Sequence, residues 1–135
     1  MDLSSHGIVA LVRNQNNKFL LLEDGRAEMR GRWAPPHGKC EPSDMSEEAG
    51  VIRETLEETG LHVTPIKKVL TQAADTKVKT VSFWVVDTLS DEINLDTKES
   101  SDYGWFTIED ALKLTLYPGT KLFFEKILRN EISLG

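Results

Sequence analysis

Apolar and polar positions along the chain fall into blocks of two different periods. Gly7 to Arg13 and Lys18 to Glu23 are apolar, β-rich runs joined by Asn14-Gln15-Asn16-Asn17, a polar turn that predicts a hairpin. Asp24 to Arg32 follows as a polar loop carrying Arg26, Arg30 and Arg32. Val63 to Ala73 and Val78 to Val86 read as two more strands around the turn Ala74-Asp75-Thr76-Lys77. In the second of these, Val81, Phe83 and Val85 alternate with Ser82 and Trp84, the period of two that marks a strand. A polar, acidic connection from Ser90 to Asp102 leads to a short strand at Tyr103 to Phe106. Thr107 and Asp110 open a helix by capping-box spacing. After the Pro118-Gly119 break, a last helix from about Thr120 to Arg129 should bury Phe123, Phe124, Ile127 and Leu128.

The remaining segment, Met45 to Thr59, has helical spacing. Met45, Ala49, Ile52, Leu56 and Thr59 form the stripe expected to face the core, and Glu47, Glu54, Glu57 and Glu58 gather on the opposite face. Asp44 is expected to cap this helix, with Glu47 at the capping-box position, and Gly60 to end it in a left-handed conformation. Like charges at i, i+3 and i, i+4 destabilise a helix by a few tenths of a kcal/mol per pair, roughly. A solvated acidic face is the ordinary explanation of such a pattern; a hard divalent cation, which takes oxygen ligands, is the functional one. The rigid Trp33-Ala34-Pro35-Pro36-His37-Gly38 segment upstream could aim backbone groups at this face.

Composition narrows the field. The 135 residues suit one domain, spanning 1–135, and strands mixed with three helices predict an α/β/α sandwich. A net charge of −6 argues against a basic nucleic-acid-binding surface. The lone Cys40 cannot form an internal disulfide and reads as a small loop residue. No signal peptide is evident in Met1-Asp2-Leu3-Ser4-Ser5, and no apolar run reaches membrane-spanning length, so a cytoplasmic protein is expected.

Between Gly38 and Leu61 the chain resembles the Nudix box, G-x5-E-x7-R-E-U-x-E-E-x-G-U with U aliphatic. Gly38, Arg53, Glu54, Glu57, Glu58, Gly60 and Leu61 fill its named positions. Asp44 stands at the first acidic position, separated from Arg53 by eight residues rather than seven, with Ser43 where glycine is common and Thr55 where an aliphatic is usual. The extra residue should be absorbed in the loop or the first helical turn. The resemblance implies an α/β/α Nudix sandwich with a mixed sheet. It also implies magnesium-dependent cleavage of a nucleoside diphosphate linked to another group, with manganese as an alternative metal. On that reading Glu54, Glu57, Glu58 and the backbone carbonyl of His37 are metal ligands. Glu54 is a further candidate for the base, and Arg53 orients the carboxylates. Glu99, on the connection before the strand at Tyr103, matches a glutamate that family members recruit as a base or an extra ligand.

Outside the box, Trp33-Ala34-Pro35-Pro36-His37-Gly38 is similar to the W-x-P-P-K-G segment of asymmetrical diadenosine tetraphosphate hydrolases, with His37 replacing lysine. Lys79-Thr80-Val81-Ser82-Phe83-Trp84 and Tyr103-Gly104-Trp105-Phe106, then Tyr117-Pro118-Gly119, also fit that subgroup. Dinucleoside polyphosphates are the favoured substrates, and oxidised nucleoside triphosphates the alternative. Phe83 and Tyr103 are candidates to stack a base, although Phe83 and Trp84 read equally well as core residues. Lys39 and Lys79 are candidates to contact phosphates. A catalytically inactive nucleotide-binding module would be expected to lack Arg53, Glu54, Glu57 or Glu58, and all four are present. A calcium-binding or structural acidic helix is a third class. The expected partner is a small nucleotide, not a nucleic-acid polymer or a membrane, and the expected state a monomer or homodimer.

Overall fold

The computed structural model describes residues 5–74 and 77–135. Residues 1–4 and residues 75–76 of the expected 74–77 turn lie outside them, and so does most of the segment read for a signal peptide. Among the described residues seven strands form one mixed sheet. β1 (His6–Arg13) and β2 (Phe19–Asp24) make the expected hairpin, whose turn is fixed by the Asn14 side chain accepting the N–H groups of Asn16 and Lys18. These strands pair at Arg13–Phe19, and along the rest of their length each takes other partners. β2 pairs with β3 (Trp33–Ala34) and with β7 (Ser100–Phe106), while β1 pairs with β4 (His37–Lys39). On its other side β1 runs parallel to β6 (Thr80–Asp87), and β5 (Thr64–Ala73) completes the sheet antiparallel to β6.

The segment expected as a tight loop is thus two short strands with Pro35-Pro36 between them. Proline has no N–H to leave unpaired at such a junction, and the Pro36 carbonyl accepts the Ala10 N–H at 2.8 Å. β7 begins at Ser100, three residues before the expected strand.

Helices cover both faces, giving the α/β/α arrangement. Ile8, Ala10 and Val12 of β1, Leu20 and Leu22 of β2 and Val86 of β6 pack with Val51 of α1 (Glu47–Thr59). The alternate positions Leu11, Phe19, Leu21, Phe83 and Val85 pack with α2 (Ile108–Ala111) and α3 (Pro118–Leu128) through Ile108, Phe123 and Phe124. The last helix starts at Pro118, two residues earlier than expected, because proline is well suited to a first helical turn. Among the described residues no helix is long and apolar enough to cross a membrane.

The expected core stripe of α1 is corrected. Met45 lies outside the helix and is exposed, Ile52 and Leu56 are also exposed, and the buried positions are Glu47, Gly50, Val51, Thr55 and Thr59. The threonines can be buried because each satisfies its hydroxyl locally: Thr55 Oγ1 donates to Val51 O at 2.8 Å and Thr59 Oγ1 to Thr55 O at 2.6 Å. Ser46 is the N-cap in place of Asp44, accepting from the Ala49 N–H, and Gly60 ends the helix at φ 76°. Glu47 also leaves the acidic face. It is buried against the sheet, where Lys68 Nζ and Trp84 Nε1 each donate to it at 3.1 Å. Burial alone would raise its carboxyl, but hydrogen bonds from Ser82, Trp84 and Lys68 hold it down at about 2.

Phe124→Ala should therefore lower the unfolding free energy by ~3–5 kcal/mol. Leu56→Ala, on the exposed side of α1, should change it by no more than about 0.5 kcal/mol. Urea denaturation of both variants checks the corrected orientation of the helix.

Candidate active site

β4 lends only one side to β1. Gly38 is paired with Ile8 across that ladder, so the N–H of His37 and the carbonyl of Lys39 point outward. α1 takes both groups: Glu58 Oε2 accepts from His37 N at 3.2 Å, and Arg53 Nη2 donates to Lys39 O at 3.2 Å. Between these contacts Glu54 lies directly on Gly38. A Cβ at that position would fall 2.2 Å from the Glu54 carboxyl carbon, so the glycine is demanded by space.

Arg53 organises the carboxylates. Its Nε and Nη2 bind Asp44 at 2.9 and 3.0 Å, in the two-point geometry that suits guanidinium and carboxylate. Its Nη1 lies 3.1 Å from Glu54, 3.2 Å from Glu57 and 3.2 Å from Glu41. Asp44 also accepts the Glu41 N–H, so the loop before α1 is tied to the same arginine. Its carboxyl is held below the usual range, chiefly by Arg53.

The remaining acids crowd one another. Burial pushes the Glu58 carboxyl up to about 9, with Glu54, Glu99 and Asp96 adding to the rise and the His37 N–H opposing it. Burial also lifts Glu54 to about 6, against the pull of Arg53 and with Glu57 and Glu99 raising it further. Glu54, Glu57, Glu58 and Glu99 thus share one acidic field of hard oxygen donors, a donor set that fits a magnesium-type cation. Among the described residues, no three His, Cys, Asp or Glu side chains already stand in metal-ligating positions. Arg53 draws Glu54 and Glu57 towards itself.

The NUDIX domain family model matches residues 4–127. The chain belongs to the Nudix family. It carries a Nudix hydrolase domain. The MutT protein of Methanosarcina mazei Go1 has the same fold, with a TM-score of 0.76 and 31% identity over 93% of this chain and 94% of that one. A Caenorhabditis elegans Ap4A hydrolase in a binary complex superposes with a TM-score of 0.73 over 93% of this chain and 97% of that one, at 23% identity. Among curated proteins, human 8-oxo-dGDP phosphatase NUDT18 is 36% identical over 58 residues, 43% of this chain and 18% of that protein. Putative nudix hydrolase 1 of C. elegans is 29% identical over 102 residues, 74% of this chain and 28% of that protein. The chain therefore spans less than a third of either curated relative.

Within the Nudix box, the structure brings Arg53, Glu54, Glu57, Glu58 and the His37 backbone together, and Glu99 reaches the same field from the residue before β7. The extra residue before Arg53 is absorbed ahead of α1, since Asp44 still reaches the guanidinium. Phe83 is not part of this group. It is 5% exposed and stacks on Phe123 in the α3 layer, centroids 4.1 Å apart, because that face of β6 is core. Tyr103 is 41% exposed on β7. Lys39 and Lys79 are exposed, on β4 and just before β6. Cys40 is buried, and burial together with Asp44 pushes its thiol up to about 11, which removes it as a nucleophile. Two residues not singled out from the sequence also belong here. Asp96 adds its charge at Glu58, and Tyr117 places its ring against His37.

Gly38→Ala should act on catalysis more than on folding, because the intruding methyl displaces the flexible end of Glu54. A kcat reduced about a hundredfold with a nearly unchanged melting temperature is the expected result. A pH effect follows as well. An acid whose folded pKa lies above its ordinary value stabilises the fold while protonated and loses that contribution as pH rises. For Glu58 the loss should run from the ordinary glutamate value of 4.5 to about 9. In EDTA, Glu58→Gln should therefore gain on the wild type in thermal stability as pH is raised across that window, measured by melting curves.

Proposed function

We propose that this chain, a single domain over 1–135, hydrolyses phosphoanhydride bonds of nucleotides with magnesium, or manganese in its place. The observation that supports this most is the carboxylate group on α1, ordered by Arg53 and fastened to the outer edge of β4. Glu54, Glu57 and Glu58 with the His37 carbonyl are the groups to hold the metal, which would neutralise phosphate charge and lower the pKa of bound water. Arg53 keeps Glu54 and Glu57 in place without touching substrate. Glu54 or Glu99 takes the proton of the attacking water. Lys39 and Lys79 serve the outer phosphates, and Tyr103 offers a ring to a base. An inactive binding module accounts less well for the intact set of box residues. A cytoplasmic setting suits the single buried thiol.

Two substrate readings have specific support. The Trp33-to-Gly38 and Lys79-to-Trp84 segments favour dinucleoside polyphosphates such as diadenosine tetraphosphate. The similarity to a protein named 8-oxo-dGDP phosphatase, 36% identical over 58 residues, favours oxidised nucleotides. The burial of Phe83 removes one support from the first reading. On either reading the chain works as a monomer or a homodimer.

A nucleotide panel with Mg²⁺, with products identified by mass spectrometry, separates the readings. ATP plus AMP from diadenosine tetraphosphate, at the highest kcat/KM of the panel, supports the first. Preference for 8-oxo-dGDP or 8-oxo-dGTP supports the second, and no turnover of any nucleotide contradicts both. Glu57→Gln should lower kcat by about two orders of magnitude or more with folding intact, since exposed carboxylates add little to stability. Glu99→Gln kinetics equal to wild type would remove Glu99 from the site.

A further inference from the structure

The connection between β6 and β7 carries Glu99 and is polar along most of its length, yet it is fastened to the end of α1. Ile93 and Leu95 pack against the core on the α1 side. The residue after each of them bonds to the helix: Asn94 N donates to Thr59 O at 2.8 Å and Asp96 N to Glu58 O at 3.0 Å. The last carbonyls of a helix have no partner within it, so these bonds complete α1 as well as hold the connection. Gly60 leaves the room, since a Cβ there would lie 3.0 Å from Asn94 Cβ.

From Asp96 the chain doubles back within one turn. Asp96 Oδ1 accepts the Lys98 N–H at 3.1 Å, the bond by which an aspartate fixes the backbone two residues on. Its carbonyl accepts from Glu99 N at 3.3 Å and from Ser100 N at 3.1 Å. Glu99 O then accepts the Gly25 N–H at 2.9 Å, just past the end of β2. The backbone of Glu99 is thus bonded through both its N–H and its carbonyl, while its side chain is exposed. The run of bonds that holds Glu99 begins at the carbonyl of Glu58, whose carboxylate shares the acidic field with it. A glutamate on a free loop would have to be ordered each time a ligand bound; here that order is already in place.

We propose that Asp96 is the positioning residue for Glu99, through the turn it closes and not through its charge, so that Glu99 stands at the acidic site before any ligand enters. The inference rests on the hydrolase reading above, in which Glu99 is a candidate for the base, and adds the residue that places it. Asp96 has two properties that substitution can part. Its carboxylate adds charge at Glu58, and its Oδ1 is the acceptor that closes the turn. Asparagine keeps the acceptor and drops the charge, alanine drops both, and glutamate keeps the charge on a side chain one carbon too long for the turn.

Backbone ¹⁵N relaxation of the metal-free wild type is the first measurement. Order parameters over Asp96 to Ser100 should equal those of β7, about 0.85. Values clearly below those of β7 would make Glu99 a residue that swings in after the ligand and would overturn the proposal. The second measurement is kinetic, on the nucleotide that the wild type turns over fastest. Asp96→Ala and Asp96→Glu should each lower kcat about tenfold to a hundredfold with KM nearly unchanged, and Asp96→Asn should stay within about threefold of wild type. In a Glu99→Gln background Asp96→Ala should cost nothing further, because it acts through that residue. Equal losses for the alanine and asparagine variants, a wild-type kcat for Asp96→Glu, or an undiminished loss in the Glu99→Gln background would overturn the assignment. The relaxation data need no variant, and Asp96→Glu takes the place of Asp96→Ala if the latter fails to fold. A rigid Glu99 in a protein that hydrolyses no nucleotide would retire the hydrolase reading alone. A mobile Glu99 in an active enzyme would retire the role of Asp96 alone.

Discussion

The outward edge of β4 and the helix laid along it are the contact on which the rest of the site depends. A three-residue edge strand leaves an N–H and a carbonyl facing away from the sheet, and such groups need partners once water is excluded. α1 provides them with side chains, Glu58 to the His37 N–H and Arg53 to the Lys39 carbonyl. The Glu54 carboxylate can lie this near the strand only because Gly38 has no side chain. One close approach thereby sets the height of Glu54, Glu57 and Glu58 above the strand and gives their crowded charge a fixed place. The back of the helix agrees with this placement: Glu47 is locked by Lys68 and Trp84, while Thr55 and Thr59 pack with their hydroxyls already satisfied.

The β1–β6 and β2–β7 pairings gave no sign in the sequence, but the longer strands could be read from their nearly continuous apolar runs, because both faces of the sheet are covered. The same circumstance hid which face each residue takes. Phe83 and Trp84 lie on opposite faces, as a period of two requires, yet each face is buried under a helix, so alternation could not show that Phe83 belongs to α3 and Trp84 to α1. The orientation of α1 was misread for a related reason. Scoring by hydrophobicity ranks Ile52 and Leu56 above Thr55, whereas a threonine that bonds its own helix, as Thr55 and the correctly placed Thr59 do, behaves as a small apolar residue when buried. Glu47 gave no local sign of burial, since its partners come from β5 and β6.

Gly38, Arg53, Glu54, Glu57 and Glu58 were legible because a short stretch of chain carries the whole arrangement. The bond between Tyr117 and Asp24 was not, because it spans 93 positions and Tyr117 was named only within the Tyr117-Pro118-Gly119 motif. β3 and β4 were hidden by their brevity and by the prolines that separate them. Asp44 occupies an intermediate position. Its place before the helix suggested a cap, and its actual partner, Arg53, is nine residues away. The helix found its cap in Ser46 and left Asp44 free to fix the arginine. The substitution of His37 for lysine has its own consequence, since the ring it introduces meets Tyr117 on the face that α1 does not cover.

Titration of Mn²⁺ followed by electron paramagnetic resonance tests most directly whether the clasp between α1 and β4 builds a metal site. The wild type should remove the free-ion signal, and Gly38→Ala should bind about ten- to a hundredfold more weakly with its melting temperature preserved, because the ligands survive but their support does not. Equal Mn²⁺ affinity in the two proteins, or no Mn²⁺ binding by the wild type, would contradict the account.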